Sequence, residues 1–279
     1  MSDRDLSGQD FGLYHGSRIG GSVFRDSGAS AHDGLRDSDE PGLAGVSVHL
    51  SDAGGGTRHD GTVSDADGAW VLWLPATAAP GVKIVQTRPP GQLATGADTG
   101  NTAGTYAHST DTLSFTAASG REYSDVRFGN VPVGRFDPDG RQSALPGSVL
   151  FYGHRFVAGS RGTLTLSTTA LASPELSGWG VVLYRDADCD GAPDAGGGPL
   201  PAELELAPDD LLCLIAKVIV PDNAPFGAQH RLTLAASFRH QGAQVPIDFT
   251  LSNEDLSTVG DHGDAALRLT KQTDKEAAQ

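Results

Sequence analysis

The chain has 279 residues, with 35 acidic against 20 basic side chains and a formal charge of -15. That balance disfavours nucleic acid, whose phosphates need Lys and Arg, and it disfavours an anionic membrane surface. With 37 glycines, 16 prolines and 6% aromatic residues, the composition suits short strands joined by turns better than long helices, and the length suits two domains.

Residues 1–17 carry no strand-length alternation and read as a leader or linker, with neither the basic region nor the apolar core of a signal peptide. The first strand-like stretch is 21–25, and an acidic loop follows over 26–42. In 45–50, Val46, Val48 and Leu50 alternate with polar neighbours, which places them on one face of a strand and His49 on the other. A weaker strand candidate is 57–64. Asp65, Asp67 and Gly68 then supply the side-chain hydrogen bonding and positive φ of a turn. In the strand at 69–74, Trp70 and Trp73 are three apart and point to opposite faces, one to the core and the other to a partner or neighbouring domain. A strand at 82–87 precedes 89–109, which is rich in Gly, Thr and Asn and reads as a long loop or irregular edge. Strands at 110–116 and 123–128 close the first unit.

A short polar junction at 134–140 leads into strand-like stretches at 148–152, 162–168, 179–184, 202–207, 211–220, 229–239 and 244–251. The most apolar run, 212–220, is rich in β-branched residues and bounded by Asp209, Asp210 and Pro221, which favours a central strand over a helix. Trp179 reads as core. From 260 the alternation of Leu267 and Leu269 looks like the opening of a further repeat. The expected fold is all-β: two Ig-like or transthyretin-like antiparallel β-sandwiches in tandem, over 18–133 and 134–259. No stretch approaches the about 18 apolar residues of a membrane span.

Two acidic loops carry the strongest chemical signal. Asp186, Asp188 and Asp190 occupy alternate positions before Gly191, and Asp194 follows. A hard cation such as Ca²⁺ takes six to eight oxygens, and a tight loop with this spacing can wrap several around one ion. The EF-hand glutamate is missing, since its position is Gly197, and the flanks read as strands. The alternative is a solvent-exposed turn whose Asp residues cap their own backbone. In the other loop Asp26, Asp33, Asp37, Asp39 and Glu40 crowd together, and a bound Ca²⁺ would remove the cost of gathering their charges. The two cysteines, Cys189 and Cys213, either form one disulfide or stay reduced, and the bridge suits an oxidising compartment. The nine histidines are scattered, no HExxH pattern is present and no Gly-x-Ser-x-Gly elbow appears, so no catalytic site is expected.

The first unit resembles the B-type repeats of Gram-positive surface adhesins, the SdrD B-like or Cna-B-like domains. The resemblance lies in the run from Gly21 to Asp26, in Asp33, Gly34, Leu35, Arg36 and Asp37, and in Glu40 through Val46. It continues in Val48, His49 and Leu50, in Thr62 through Gly68, and in Phe128 and Gly129. It implies a rigid spacer in a multidomain stalk and a calcium-binding first loop with ligands at Asp26, Asp33, Asp37 and Glu40. Residues 27–32 make that loop longer and less acidic than in the family. Some such domains carry a Lys–Asn or Lys–Asp isopeptide bond. Lys83 is the only lysine of the unit and lies outside its first strand, so none is expected. The second unit is similar to the DUF11-like repeats of bacterial envelope proteins, in Pro146 through Tyr152, Trp179, Tyr184 through Asp186, and Pro221 through Gly227.

These readings point to an extracellular or cell-surface structural or adhesive module with calcium-stiffened loops. Its partners would be neighbouring domains of the same protein and a surface protein or glycan. The competing readings are a carbohydrate- or protein-binding module and the accessory domains of a larger enzyme.

Overall fold

The computed structural model describes residues 15–27, 33–194 and 198–260. The tail with Leu267 and Leu269 and most of the 1–17 segment lie outside these residues. The chain divides into two compact units. One runs to Val133 and includes His240–Ile247; the other comprises Gly134–Arg239 and the residues from 248 onward. Strands dominate both, and among the described residues the only helical turns are two short 3-10 segments, Gly100–Thr102 and His108–Thr110. No helix among them is long and apolar enough to cross a membrane.

The first unit holds β1 (Gly16–Arg25), β2 (Ser47–Asp52), β3 (Arg58–Val63), β4 (Ala69–Pro75), β5 (Gly81–Thr87), β6 (Gln92–Thr99), β7 (Thr105–Ala107), β8 (Thr112–Thr116) and β9 (Glu122–Pro132). They form two sheets, ordered β4-β1-β9-β6 and β3-β2-β5-β8-β7. Val46, Val48 and Leu50 are fully buried, as their alternation predicts. They meet Ile19, Leu72, Ile84, Leu113 and Phe128 in one core. Burying each such side chain stabilises the fold by roughly 1.5–3 kcal/mol. Trp70 faces this core and Trp73, 41% exposed, faces outward. Asp65 accepts from the amides of Asp67 (3.0 Å) and Ala69 (2.7 Å), so these acids build a turn, as expected. Gly21 lets β1 pass close to its neighbours: a Cβ there would lie 1.9 Å from the Val126 carbonyl and 2.5 Å from the Trp70 ring.

The second unit holds β10 (Arg135–Asp137), β11 (Gly140–Ala144), β12 (Val149–Val157), β13 (Gly162–Ser173), β14 (Gly180–Arg185), β15 (Glu203–Leu206), β16 (Leu211–Ile219), β17 (Gln229–His240) and β18 (Asp248–Val259). The sheets are ordered β10-β12-β16-β14 and β11-β18-β17-β13-β15. The apolar run at 212–220 is the interior strand β16, paired with β12 and β14. Its Leu212, Leu214, Ala216 and Val218 join Phe156, Leu164, Leu232, Leu234 and Phe238.

Several features depart from the sequence reading: β1 begins at Gly16, inside the segment read as leader or linker, β11 has no expected counterpart, and the strand expected at 244–251 is β18, which runs from Asp248 to Val259. The 89–109 segment contains β6, hydrogen-bonded to β9, as well as β7. The polar junction at 134–140 contains β10, paired with β12. The sheets are also not wholly antiparallel: β1 pairs with β9 in parallel, and β11 does so with β18. In each unit an early strand thereby lies beside the closing one.

Candidate metal centre and buried polar clusters

The loop after β14 gathers carboxylates. Asp186 is 4% exposed, and its amide donates to the Cys213 carbonyl of β16 at 3.0 Å. Its Oδ2 accepts from the Gly191 amide at 3.0 Å, while Oδ1 is buried without a hydrogen-bond partner among the described residues. Asp194 closes back on the loop start by accepting from the Ala187 amide at 2.7 Å. Carboxylate oxygens of Asp186, Asp188 and Asp194 all lie within 4.8 Å of one another. The Asp190 amide bond lowers the Asp188 pKa, but desolvation, repulsion from Asp190 and Asp194, and hydrogen bonding with Asp186 outweigh it, and the net shift is upward. Three carboxylates and an orphaned buried oxygen form a donor set suited to a hard cation. Asp190 stands apart from that trio and accepts from the Ala192 amide at 2.7 Å. Cys189 and Cys213 are joined by a disulfide, with an S–S distance of 2.07 Å.

The first acidic loop is arranged differently. Asp26 is fully buried and Glu40 is 3% exposed. Asp26 Oδ2 accepts from the Gly34 amide at 2.7 Å and from the Thr95 hydroxyl of β6, while Oδ1 has no hydrogen-bond partner among the described residues. Gly34 takes φ +78°, and a Cβ on it would lie 2.5 Å from Gly96, so only glycine aims this amide at the carboxylate without strain. Burial drives the Asp26 pKa up to about 7; the Thr95 and Gly34 bonds oppose this and the neighbouring Glu40 reinforces it. Glu40 accepts from the Asp37 amide at 2.9 Å, and Asp33 accepts from the Leu35 amide at 2.9 Å. Asp33 and Asp37 are half-buried and Asp39 is exposed. The structure therefore brings Asp26 and Glu40 together and leaves Asp33, Asp37 and Asp39 outside any cluster of three among the described residues. Residues 28–32 of this loop lie outside the described residues.

Two buried polar clusters have no counterpart in the sequence reading. In the first unit, Gln86 donates to Asn130 (2.7 Å) and Asp111 (3.1 Å), and Tyr106 donates to Asp111 (2.7 Å). Arg88 also reaches Asp111, at 3.3 Å. In the second, His154 Nε2 meets Asp255 Oδ2 at 3.0 Å, and both side chains are 0% exposed. His154 Nδ1 lies 2.9 Å from the Pro138 carbonyl. The Asn253 amide donates to the Phe136 carbonyl (2.9 Å) and turns its oxygen to Nδ1 at 3.2 Å. Both ring nitrogens thus face acceptors, so this His–Asp pair has no free nitrogen with which to activate a nucleophile. Alternation in β12, where Leu150, Tyr152, His154 and Phe156 share the buried face, was the signal that could have placed His154 in the core.

No protein-family model and no curated protein match the chain. Among solved structures, the major pilin subunit BcpA of Bacillus cereus aligns over 86% of this chain and 69% of its own, at 13% identity and a TM-score of 0.43. The major pilin SpaD of Corynebacterium diphtheriae aligns over 90% and 67%, at 10% identity and 0.33. The shaft pilin SpaA of Lactobacillus rhamnosus GG aligns over 88% and 98%, at 12% identity and 0.29. No residue role is carried from these proteins to this chain.

Proposed function

We propose that the chain is a structural or adhesive module of an extracellular or cell-surface protein, stiffened by calcium at its acidic loops. The observation that carries this reading is the convergence of Asp186, Asp188 and Asp194 around a buried oxygen of Asp186 that has no hydrogen-bond partner among the described residues. A cation there would tie the end of β14 to the returning loop and quench the repulsion that raises Asp188. The disulfide supports an oxidising compartment. The Asp26–Glu40 pair would take a second ion, with fewer protein ligands. Neighbouring domains of the same protein would be the first partners of such a module.

Calorimetric titration with Ca²⁺ after chelation tests the proposal. Heat is expected together with a rise in melting temperature. Asp186→Ala is expected to weaken binding at the second loop by at least about tenfold, the loss expected on removing a charged, buried ligand. No heat and no thermal shift would overturn calcium at both loops.

The outward-facing Trp73 favours a second reading, a glycan- or protein-binding module. It borders a crevice of about 380 Å³ lined also by His59, Asp60 and Pro75. Quenching or a spectral shift of tryptophan fluorescence by a glycan panel, lost in Trp73→Ala, would support it.

A further inference from the structure

The second acidic loop is fastened to the sheet at its middle. Cys189 lies between Asp188 and Asp190 and is bonded to Cys213 of the interior strand β16, with Cα atoms 5.4 Å apart. Cys189 itself takes φ +59°, a left-handed conformation that non-glycine residues rarely hold. Beside the bridge opens a cavity of about 340 Å³ lined by Asp186, Asp190 and Gly191 as well as both cysteines. The Asp186 amide ties the start of the loop to the Cys213 carbonyl. Within the loop, hydrogen bonds from Gly191 to Asp186, from Asp190 to Asp188 and from Ala187 to Asp194 each spend a lone pair of a carboxylate that a cation would also use. The disulfide holds the loop without drawing on any carboxylate.

We propose that the Cys189–Cys213 disulfide is a positioning element that gates the cation site of Asp186, Asp188 and Asp194, so that a divalent hard cation binds tightly to the oxidised chain and weakly to the reduced one. The inference rests on the calcium reading of this loop. Opening the bridge takes two electrons and two protons. A dithiol reductant supplies them, leaving as its cyclic disulfide after a mixed-disulfide step, and Cys189 and Cys213 become thiols. Cys189 is then free to leave the left-handed region, and Asp188, its neighbour, loses the anchor that holds it near Asp186 and Asp194. The cation must afterwards order the loop at the expense of its own binding energy. Linkage requires the reverse effect in equal measure: bound cation makes the disulfide harder to reduce by the same factor.

Two measurements on the full chain test this. The first is Ca²⁺ calorimetry on the oxidised chain, on the dithiothreitol-reduced chain and on Cys189→Ser/Cys213→Ser, with Asp186→Ala identifying heat that comes from elsewhere. Affinity at this site is expected to fall at least about tenfold in the reduced and double-serine forms. The second keeps the wild-type sequence and follows the fraction reduced against the dithiol-to-disulfide ratio, with and without Ca²⁺. A matching shift is expected, absent from Asp186→Ala. Equal affinity in oxidised and reduced forms, or a reduction curve that ignores Ca²⁺ in a chain that binds it, overturns the gate. Failure of the oxidised wild type to bind Ca²⁺ here overturns the calcium reading itself and the gate with it.

Discussion

At pH 8 and without added calcium, the Asp26→Asn variant is expected to be more stable than the wild type. The Asp26 carboxyl is fully buried, and that burial lifts its pKa to about 7, against an ordinary value of 3.8. Between pH 4 and 7 the folded chain keeps a proton that the unfolded chain has released, so stability falls as pH rises through that window. Below about pH 4 both states are protonated and the contribution is whole; above about pH 7 it is lost. A shift of this size corresponds to on the order of 4 kcal/mol. Asparagine never ionises, and its carbonyl oxygen can still accept from Gly34 and Thr95, the two donors to Asp26 Oδ2. Urea unfolding at pH 4, 6 and 8 should show the wild type declining and the variant lacking that decline. Parallel curves for the two proteins would remove Asp26 as the titrating group. Calcium added at pH 8 should stabilise the wild type more than the variant, which keeps only the Asp186, Asp188 and Asp194 site, if an ion, rather than a proton, neutralises this pair.

The second large effect is expected at Asp255. Its carboxylate and the His154 ring are both 0% exposed and 3.0 Å apart, and water cannot compensate if one is deleted. Asp255→Ala should lower stability by about 3–5 kcal/mol, the cost of stranding one member of a buried, hydrogen-bonded pair of ionisable side chains. Replacing the pair together, as His154→Phe with Asp255→Val, should recover a good part of that loss, because desolvation of both polar groups is then avoided. Urea midpoints of the single and double variants decide the point. If Asp255→Ala changes stability by less than about 1 kcal/mol, the pair contributes no more than an exposed contact would.

Much of the fold was legible because local pattern and tertiary demand agree. Val46, Val48 and Leu50 alternate in the sequence and are buried together, and the β-branched apolar run at 212–220, which favours a central strand over a helix, is the interior strand β16. β6 was illegible for the opposite reason. Its residues are mostly small or polar, among them Ala94, Thr95, Gly96 and Ala97, and carry no strong period. Pairing with β9 makes the segment a strand. The candidate sites divide in the same way. Asp186, Asp188 and Asp194 are close in sequence and meet through a turn their own spacing encodes, though spacing alone also enrolled Asp190. His154 and Asp255 are 101 residues apart, and only the packing of β12 against β18 brings them together. In the first loop five acids looked alike in sequence. Burial separates Asp26 and Glu40 from Asp33, Asp37 and Asp39, and burial depends on contacts such as Thr95 that no local pattern announces.

The parallel pairing of β1 with β9, and of β11 with β18, has a mechanical consequence. When a unit is pulled by its two ends, parallel neighbours are drawn in opposite directions along their length, and the ladder between them is loaded in shear. Its hydrogen bonds then share the load and must fail nearly together. In an antiparallel pair such as β1 and β4, a pull at the same end of both strands opens one bond at a time. Force spectroscopy on the first unit should therefore find a higher rupture force when it is held near residues 16 and 132 than when it is held near 16 and 75. A thread carrying such units would resist tension along its axis better than a pull that peels one strand from the next.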